Sequence, residues 1–481
     1  MHSSRREFVM PLLLEPLQTR LEPDAIGAAQ DTVIGMASSA PAGTMAAILA
    51  LLAATSAYSG GLIIILTAVP MLVIANAYRR LNMWNANCGA SFEWVGRSIS
   101  PYLGFLTGWL MVAGYLIGTV AEVVVLGPSV LAVFQAQSSS PWPSAGIDTG
   151  AILLMGLIAV VGIRLTARTQ IGMAVIEYTI LGGIAVLGLV VVLFHQPGTF
   201  GMTWGWWSLR GVGGKGSLIG GFLITLYGYS LWDGTIYVNE EVKHRRINPG
   251  RAAVWAVALL AVLYSLAQIG LQGVVSPGRL QAHASTALVY VAGTLGGSGL
   301  AKAMALAVAL SVIASILTGI VLTARIVLGM ASYRALPGVL SRVSPRFKTP
   351  VIASNVVIGL LIALTLVYML ATGINGVLVN VVAVAGLLAT MFYILTALAM
   401  VVYYRRRILS SFGDFFMAGV LPLGSSAFLG YILTRSLESN PLGQAWTVAA
   451  IVASGFIVML VARFAWKSAF FRLPRESYRK Q

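Results

Sequence analysis

The sequence is poor in most of what soluble chemistry uses. Of 481 residues only 10% are Asp, Glu, Lys or Arg, where a soluble domain carries about 25%. One cysteine, Cys88, excludes an intramolecular disulfide. Four histidines, at 2, 195, 244 and 283, stand too far apart for a metal-ligand spacing, so neither metal nor cofactor is expected. No nucleophile, base and orienting group recur at usable spacing, so an enzyme is not expected. The run Gly211-Val212-Gly213-Gly214-Lys215-Gly216 has the glycines of a dinucleotide loop, but it follows Trp206-Trp207 where that fold needs a strand. What fills the chain is apolar: 58% hydrophobic residues and a mean hydropathy of +0.86 exclude a soluble protein.

Apolar stretches of spanning length, bounded by charge, glycine or proline, predict about twelve transmembrane helices. They run over Val33 to Thr55, Gly60 to Tyr78, Tyr102 to Leu126, Thr149 to Ile163, Ile171 to Phe194 and Gly216 to Val238. The rest cover Ala252 to Gly273, Gly299 to Met330, Val351 to Ala371, Gly376 to Tyr404, Phe415 to Thr434 and Gln444 to Ala465. The fourth, at 15 residues, is short for a span. With both termini on one side, that side collects 26 of the 31 lysines and arginines, which predicts cytoplasmic termini in the cell membrane. The net charge of +16 is then a sign of topology rather than of nucleic-acid binding. Val9 to Leu14, interrupted by Pro11, is too short for a signal peptide, so residues 1–30 read as a cytoplasmic arm.

Two spans are interrupted at mid-length. The first carries Ser38-Ser39-Ala40-Pro41-Ala42-Gly43-Thr44, and proline fits a helix only in its first turn, so two half-helices are expected. The sixth carries Tyr227-Gly228-Tyr229-Ser230-Leu231-Trp232-Asp233-Gly234. Matching interruptions five helices apart point to an inverted-repeat transporter, with both breaks facing one site. The expected organisation is an arm at 1–30, five-helix repeats at 31–195 and 196–407, two further helices at 408–466, and a basic tail at 467–481.

Three stretches carry a family resemblance. Cys88-Gly89-Ala90-Ser91-Phe92-Glu93-Trp94-Val95-Gly96-Arg97 with Pro101-Tyr102-Leu103-Gly104-Phe105-Leu106-Thr107-Gly108-Trp109 leads into the third span. Glu240-Glu241-Val242-Lys243 and Asn248-Pro249-Gly250-Arg251 follow the sixth, and Arg325 to Pro337 with Ser344-Pro345-Arg346-Phe347-Lys348-Thr349-Pro350 follow the eighth. In register with the topology, they resemble the amino acid-polyamine-organocation superfamily of secondary transporters. The family's Gly-x-Gly at the first break is here Ser38-Ser39-Ala40-Pro41, and its glycine after the serine of the second is Leu231. The resemblance implies a fold like that of the leucine transporter, a site at the two breaks, and carriage of amino acids or related amines.

Only Glu122, Glu177 and Asp233, of fifteen acids, fall within the expected spans. Intramembrane acids are costly and usually functional. Glu122 shares a helical stripe with Tyr115, Gly118 and Thr119, which predicts a polar face lining the site. In the resembling family that part of the third helix flanks the substrate side chain, which places Glu122 to receive an amine or guanidinium. Glu177 shares a face with Gln170, and the eighth span offers Ser311, Ser315, Thr318 and Arg325 on one stripe. In related transporters these helices meet the first break where sodium or its surrogate sits. Glu177 could there carry a coupled proton or fix three helices together, and Ser311 would accompany it. Asp233 matches a position where the family often has glutamate; it could accept bonds from freed backbone N–H groups or change protonation as a gate opens. Tyr227 sits where an aromatic often caps substrate. The substrate carboxylate is expected on the backbone N–H groups of Ala42, Gly43 and Thr44 at the start of the outer half-helix. Ser38, Ser39, Ala40, Gly228 and Ser230 complete the expected site at the breaks, with Thr119 and Ser315 beside it. The leading expectation is alternating access coupled to protons or sodium, or exchange; the rivals are an exporter or polyamine carrier, a channel, or a receptor-like protein.

Overall fold

A computed structural model describes residues 21–477 apart from 135, 137–139, 197, 372–373 and 440. The arm expected at 1–30 therefore lies outside the described residues up to residue 20. The chain is all-helical, with no strand among those residues. The first break separates α1 (Ala28–Ser38) from α2 (Pro41–Ser56), and α3 (Gly60–Trp84), α4 (Ser91–Ser98) and α5 (Pro101–Val133) follow. Next come α6 (Trp142–Val161), α7 (Ile163–Leu193), then α8 (Lys215–Gly228) and α9 (Gly234–Tyr237) on either side of the second break. The chain continues through α10 (Asn248–Gln272), α11 (Pro277–Ala282), α12 (Ala287–Ser332), α13 (Val351–Ala371) and α14 (Ile374–Tyr404). It ends with α15 (Phe412–Asp414), α16 (Leu421–Ser439) and α17 (Trp446–Phe464).

Ten helical stretches among the described residues are long and apolar enough to cross a membrane. The first, residues 28–84, holds two expected spans, parted where Ala57 takes φ 47°, and the broken α8–α9 pair adds the sixth. Twelve crossings, with the first and sixth broken, therefore match the expected architecture. The dinucleotide-like glycine run follows short 3-10 turns at Trp204–Trp207 and Leu209–Gly211.

Two expectations need correction. The fourth span begins at Trp142 and is 20 residues long, because Asp148 does not end it. Asp148 is buried and accepts the Gly127 N–H at 2.9 Å. Asp31 is also inside a helix, since α1 begins five residues ahead of Val33 and buries it fully. Two further buried acids, Asp31 and Asp148, thus lie within spanning helices beside Glu122, Glu177 and Asp233.

Helices meet closely where side chains are absent. Without a hydrophobic drive between helices in lipid, small residues let backbones approach. A Cβ at Gly188 of α7 would lie 2.6 Å from Gly270 O of α10, and one at Gly270 would lie 2.3 Å from Ala185 O.

One end of the bundle gathers the segment before α1, the α3–α5 connection, the α9–α10 loop and the chain beyond α17; we refer to it as the basic end. Ile26 donates its N–H to Glu241 O at 3.1 Å and accepts from Lys243 N at 2.9 Å, so the leading segment is laced to the loop after the second break. Arg97 bonds Glu93 at 2.6 Å, Glu476 at 2.6 Å and Tyr333 at 3.2 Å. Arg325 of α12 donates to both oxygens of Glu241, at 2.5 and 2.9 Å, with both side chains buried. Burial pushes the Glu241 carboxyl up from its ordinary range while Arg325 pulls it back. Replacing Arg325 with Met is expected to leave Glu241 buried without its partner and to cost about 3–5 kcal/mol. A lower unfolding midpoint of the purified protein would register the loss, and replacing both partners by apolar residues should recover most of it.

Candidate functional site

The two breaks are built differently and meet. Pro41 opens α2, where its missing N–H is no loss, and Ala40 before it turns left-handed at φ 39°. In the second break Leu231 takes φ 69° where the resembling family has glycine, a conformation that costs about 1–2 kcal/mol for a residue with a Cβ. Its freed groups are met on all sides. Leu231 N donates to Tyr393 Oη at 3.1 Å, and its carbonyl accepts from Ser38 Oγ at 2.6 Å and Tyr115 Oη at 3.1 Å. Ser39 Oγ donates to Ser230 O at 2.6 Å, while Ser39 O accepts from Thr44 Oγ1 at 2.7 Å and Tyr264 Oη at 3.2 Å. The serines that stand in place of glycines are thus the donors that join one break to the other.

The N–H groups expected to be open to substrate are engaged. Ala42 N donates to Glu177 Oε1 at 2.9 Å and lies 3.1 Å from Ser311 Oγ. Gly43 N donates to Ser311 Oγ at 3.1 Å, and Thr44 N closes the first helical turn onto Ala40 O at 2.7 Å. Ser311 Oγ in turn donates to Glu177 Oε1 at 2.7 Å. A side-chain carboxylate therefore sits on the positive end of α2, where a substrate carboxylate was expected. Glu177 is fully buried and its second oxygen has no hydrogen-bond partner among the described residues. Gln170, one face along α7, donates to Ala314 O at 2.7 Å. Gly43 does not open a path here either: a Cβ on it would lie 3.0 Å from Val312 Cγ2 of α12.

Glu122 is 3% exposed and accepts a hydrogen bond from Ser315 Oγ. The rest of its stripe is packed rather than lining an open face. Thr119 turns its hydroxyl onto Tyr115 O at 2.8 Å, a Cβ at Gly118 would meet Leu231 at 3.1 Å, and one at Gly319 would meet Thr119 at 2.3 Å. Glu122 and Glu177 lie near enough to interact electrostatically. Tyr227 is buried at the end of α8 with its hydroxyl unpartnered among the described residues, and Gly228 packs near Ile48 and Thr44 of α2.

Three phenols hold Asp233. Tyr393 Oη donates to its Oδ1 at 2.9 Å, Tyr115 Oη at 3.2 Å, and Tyr237 Oη donates to Oδ2. Tyr237 is one helical turn from Asp233 and could have been found from that spacing. Tyr393 lies inside the apolar tenth span, and nothing in its sequence neighbourhood marks it. Tyr264, which reaches Ser39, is missed for the same reason.

Among the described residues no cluster of His, Cys, Asp and Glu could hold a metal. Residues 30–475 match the amino acid permease family. The chain belongs to the amino acid permease family. It is 26% identical over 360 residues to an uncharacterized transporter of Mycobacterium tuberculosis, covering 72% of this chain and 76% of that one. It is 22% identical over 310 residues to a vacuolar cationic amino acid transporter of Arabidopsis thaliana, covering 62% of this chain and 50% of the other. In fold it resembles a manganese transporter of Eremococcus coleocola, with a TM-score of 0.56 at 12% identity over 92% of this chain and 95% of that one. The permease is therefore a multi-pass membrane protein and a secondary transporter with the leucine-transporter fold, and its relatives are transporters rather than enzymes.

In this permease the tyrosine ring around Asp233 makes a specific demand. Asp233→Asn keeps the shape but removes the charge that three phenols donate to. Hydrogen bonds to a charged group are worth about 1.5–3 kcal/mol, so the variant is expected to unfold more readily than Tyr115→Phe, which removes one donor. Thermal unfolding of the two side by side measures the difference.

Proposed function

We propose that this permease carries amino acids or related amines by alternating access around the paired breaks, coupled to protons at Glu177, across the cell membrane with both termini cytoplasmic. The observation that supports this most is the Glu177 carboxylate on the N–H groups at the start of α2, bridged by Ser311 of α12. A proton on Glu177 removes the negative charge from that helix end and frees the Ala42 N–H and the Ser311 hydroxyl for a substrate carboxylate. Substrate and proton then favour each other, because each replaces what the other displaces. Release of the proton on the far side returns Glu177 to the helix end and expels the substrate carboxylate. One proton crossing 100 mV supplies about 2.3 kcal/mol, enough for roughly 50-fold accumulation of a neutral solute.

Glu122 supports a substrate with a distal positive charge. It is buried and bonded by Ser315, one turn of α12 from the Ser311 that meets Glu177, so an amine end reaching it would find a negative charge beyond the α2 end. Tyr227 would close over the bound molecule, with Ser38, Ser39, Ala40, Thr44, Thr119, Gly228 and Ser230 forming the walls. In this reading Asp233 orders the second break. A carrier of polyamines working outward is the second reading, favoured by the same acid at Glu122.

Uptake and efflux by proteoliposomes, with a panel of labelled amino acids and amines and with or without a pH gradient, tests the reading directly. Glu177→Gln is expected to abolish accumulation driven by the gradient while exchange or binding persists; accumulation unchanged at every pH would remove Glu177 as the proton carrier.

Specificity is tested separately. Glu122→Gln is expected to weaken binding of lysine, arginine or a polyamine by about 1.5–3 kcal/mol, and neutral amino acids much less. Equal loss of both classes would show that Glu122 holds the site together rather than selecting the substrate.

A further inference from the structure

Below the paired breaks, towards the basic end, lies a second set of buried oxygens that the proposed cycle does not use. Asp31 is fully buried in the first turn of α1, and neither of its carboxylate oxygens has a hydrogen-bond partner among the described residues. No ion pair among the described residues reaches it. A buried ionised carboxylate without donor or counter-charge is strongly unfavourable, so such a group either stays protonated or is held ionised by something positive bound beside it.

The direction of Asp31 follows from its helical stripe, which it shares with Gly35 and Ser38. A Cβ at Gly35 would meet Thr235 Cγ2, Trp232 O and Ala256, and Ser38 bonds Leu231 O. The stripe therefore faces α9 and α10. One turn nearer the basic end, where Asp31 sits, α9 gives way to Asn239 and α10 presents Ala252 and Ala253. Thr235 Oγ1 and Asn239 Oδ1, on residues four apart, are both buried and unpartnered among the described residues. The Asn239 amide is oriented by its Nδ2, which donates to Asn82 Oδ1 at 2.9 Å and Asn87 O at 3.0 Å. Four oxygens, with one negative charge among them, are left along a seam whose other wall is alanine.

We propose that this seam binds a monovalent cation of sodium or lithium size, held by the Asp31 carboxylate, Thr235 Oγ1 and Asn239 Oδ1. An all-oxygen set suits a hard cation, and a single carboxylate balances a single charge, where calcium sites gather several. The ion joins α1 to the segment after the second break, so it holds the basic end closed. It stands apart from the Glu177 node, which lies on the other side of the first break.

The test uses the full chain in detergent, its thermal unfolding followed while sodium or lithium chloride replaces choline chloride at constant ionic strength. A saturable rise in the midpoint with sodium or lithium is expected. Asp31→Asn is expected to abolish it, and Thr235→Val to raise the half-saturating concentration roughly tenfold, the equivalent of about 1.4 kcal/mol. Glu177→Gln is expected to keep the response, which separates this site from the coupling site. The proposal is overturned by no cation-specific rise in the unaltered protein, by an undiminished rise in Asp31→Asn, or by loss in Glu177→Gln alone. Should Asp31→Asn not yield a monodisperse protein, Thr235→Val decides: an unchanged half-saturating concentration overturns the site.

Discussion

In the hydrocarbon core a backbone N–H or carbonyl without a partner has no water to turn to. Two helices interrupted at the same depth release several such groups at once, and the surrounding sequence is organised around meeting them. Ser38 and Ser39 donate to the carbonyls of Leu231 and Ser230, Tyr393 accepts the N–H of Leu231, and Glu177 with Ser311 takes those of Ala42 and Gly43. Each partner comes from a different helix, so the breaks act as the hub on which α5, α7, α10, α12 and α14 converge. Removing one donor strands a group that no solvent can satisfy, which explains why so much of the polar inventory of an apolar chain is spent there.

The same hub divides the molecule by direction. Towards the basic end, α1 and α9 continue into segments joined by backbone bonds at Ile26 and by the Glu241 pair with Arg325 of α12. Towards the other end, α2 starts from a bonded carboxylate, and Tyr227 in the last turn of α8 has a hydroxyl without a partner among the described residues. Parting α1 and the α9 segment from α12 would break that buried ion pair, and a half-broken pair is costly because it leaves a buried charge without its partner.

Much of this was legible from composition and spacing. The apolar runs, the lysine and arginine bias, Pro41 in mid-span and the glycines flanking Ser230 gave the twelve crossings and both breaks, because each follows from what a bilayer forbids. The acids beyond Glu122, Glu177 and Asp233 were misplaced, because Asp31 and Asp148 sit close to span ends and charge was read as a boundary. Burial inside a helix contact overrides that reading. Two of the phenols around Asp233 were hidden for another reason: Tyr115 and Tyr393 come from other helices, and hydroxyl partners between helices leave no periodic trace, whereas Tyr237 stands four residues on in the same segment. The freedom of the Ala42 and Gly43 N–H groups was overestimated because sequence locates a helix end but not which of the chain's own carboxylates lies against it.

The contrast between Glu177 and Asp233 bears on which of them can couple. Each is fully buried at a break. Asp233 accepts from three tyrosines, and of these Tyr115 alone also bonds a backbone carbonyl, that of Leu231. Neutralising Asp233 would weaken its contacts with three tyrosines, two of them on other helices, and give nothing to a substrate. Glu177 accepts from one backbone N–H of α2 and from the Ser311 hydroxyl beside it, and its other oxygen has no partner among the described residues. Those donors are the ones a bound carboxylate could use instead. A group whose partners can be handed to the substrate, and taken back, is able to tie its own protonation to occupancy of the site; a group whose partners have nowhere else to go can only hold the framework in which that exchange takes place.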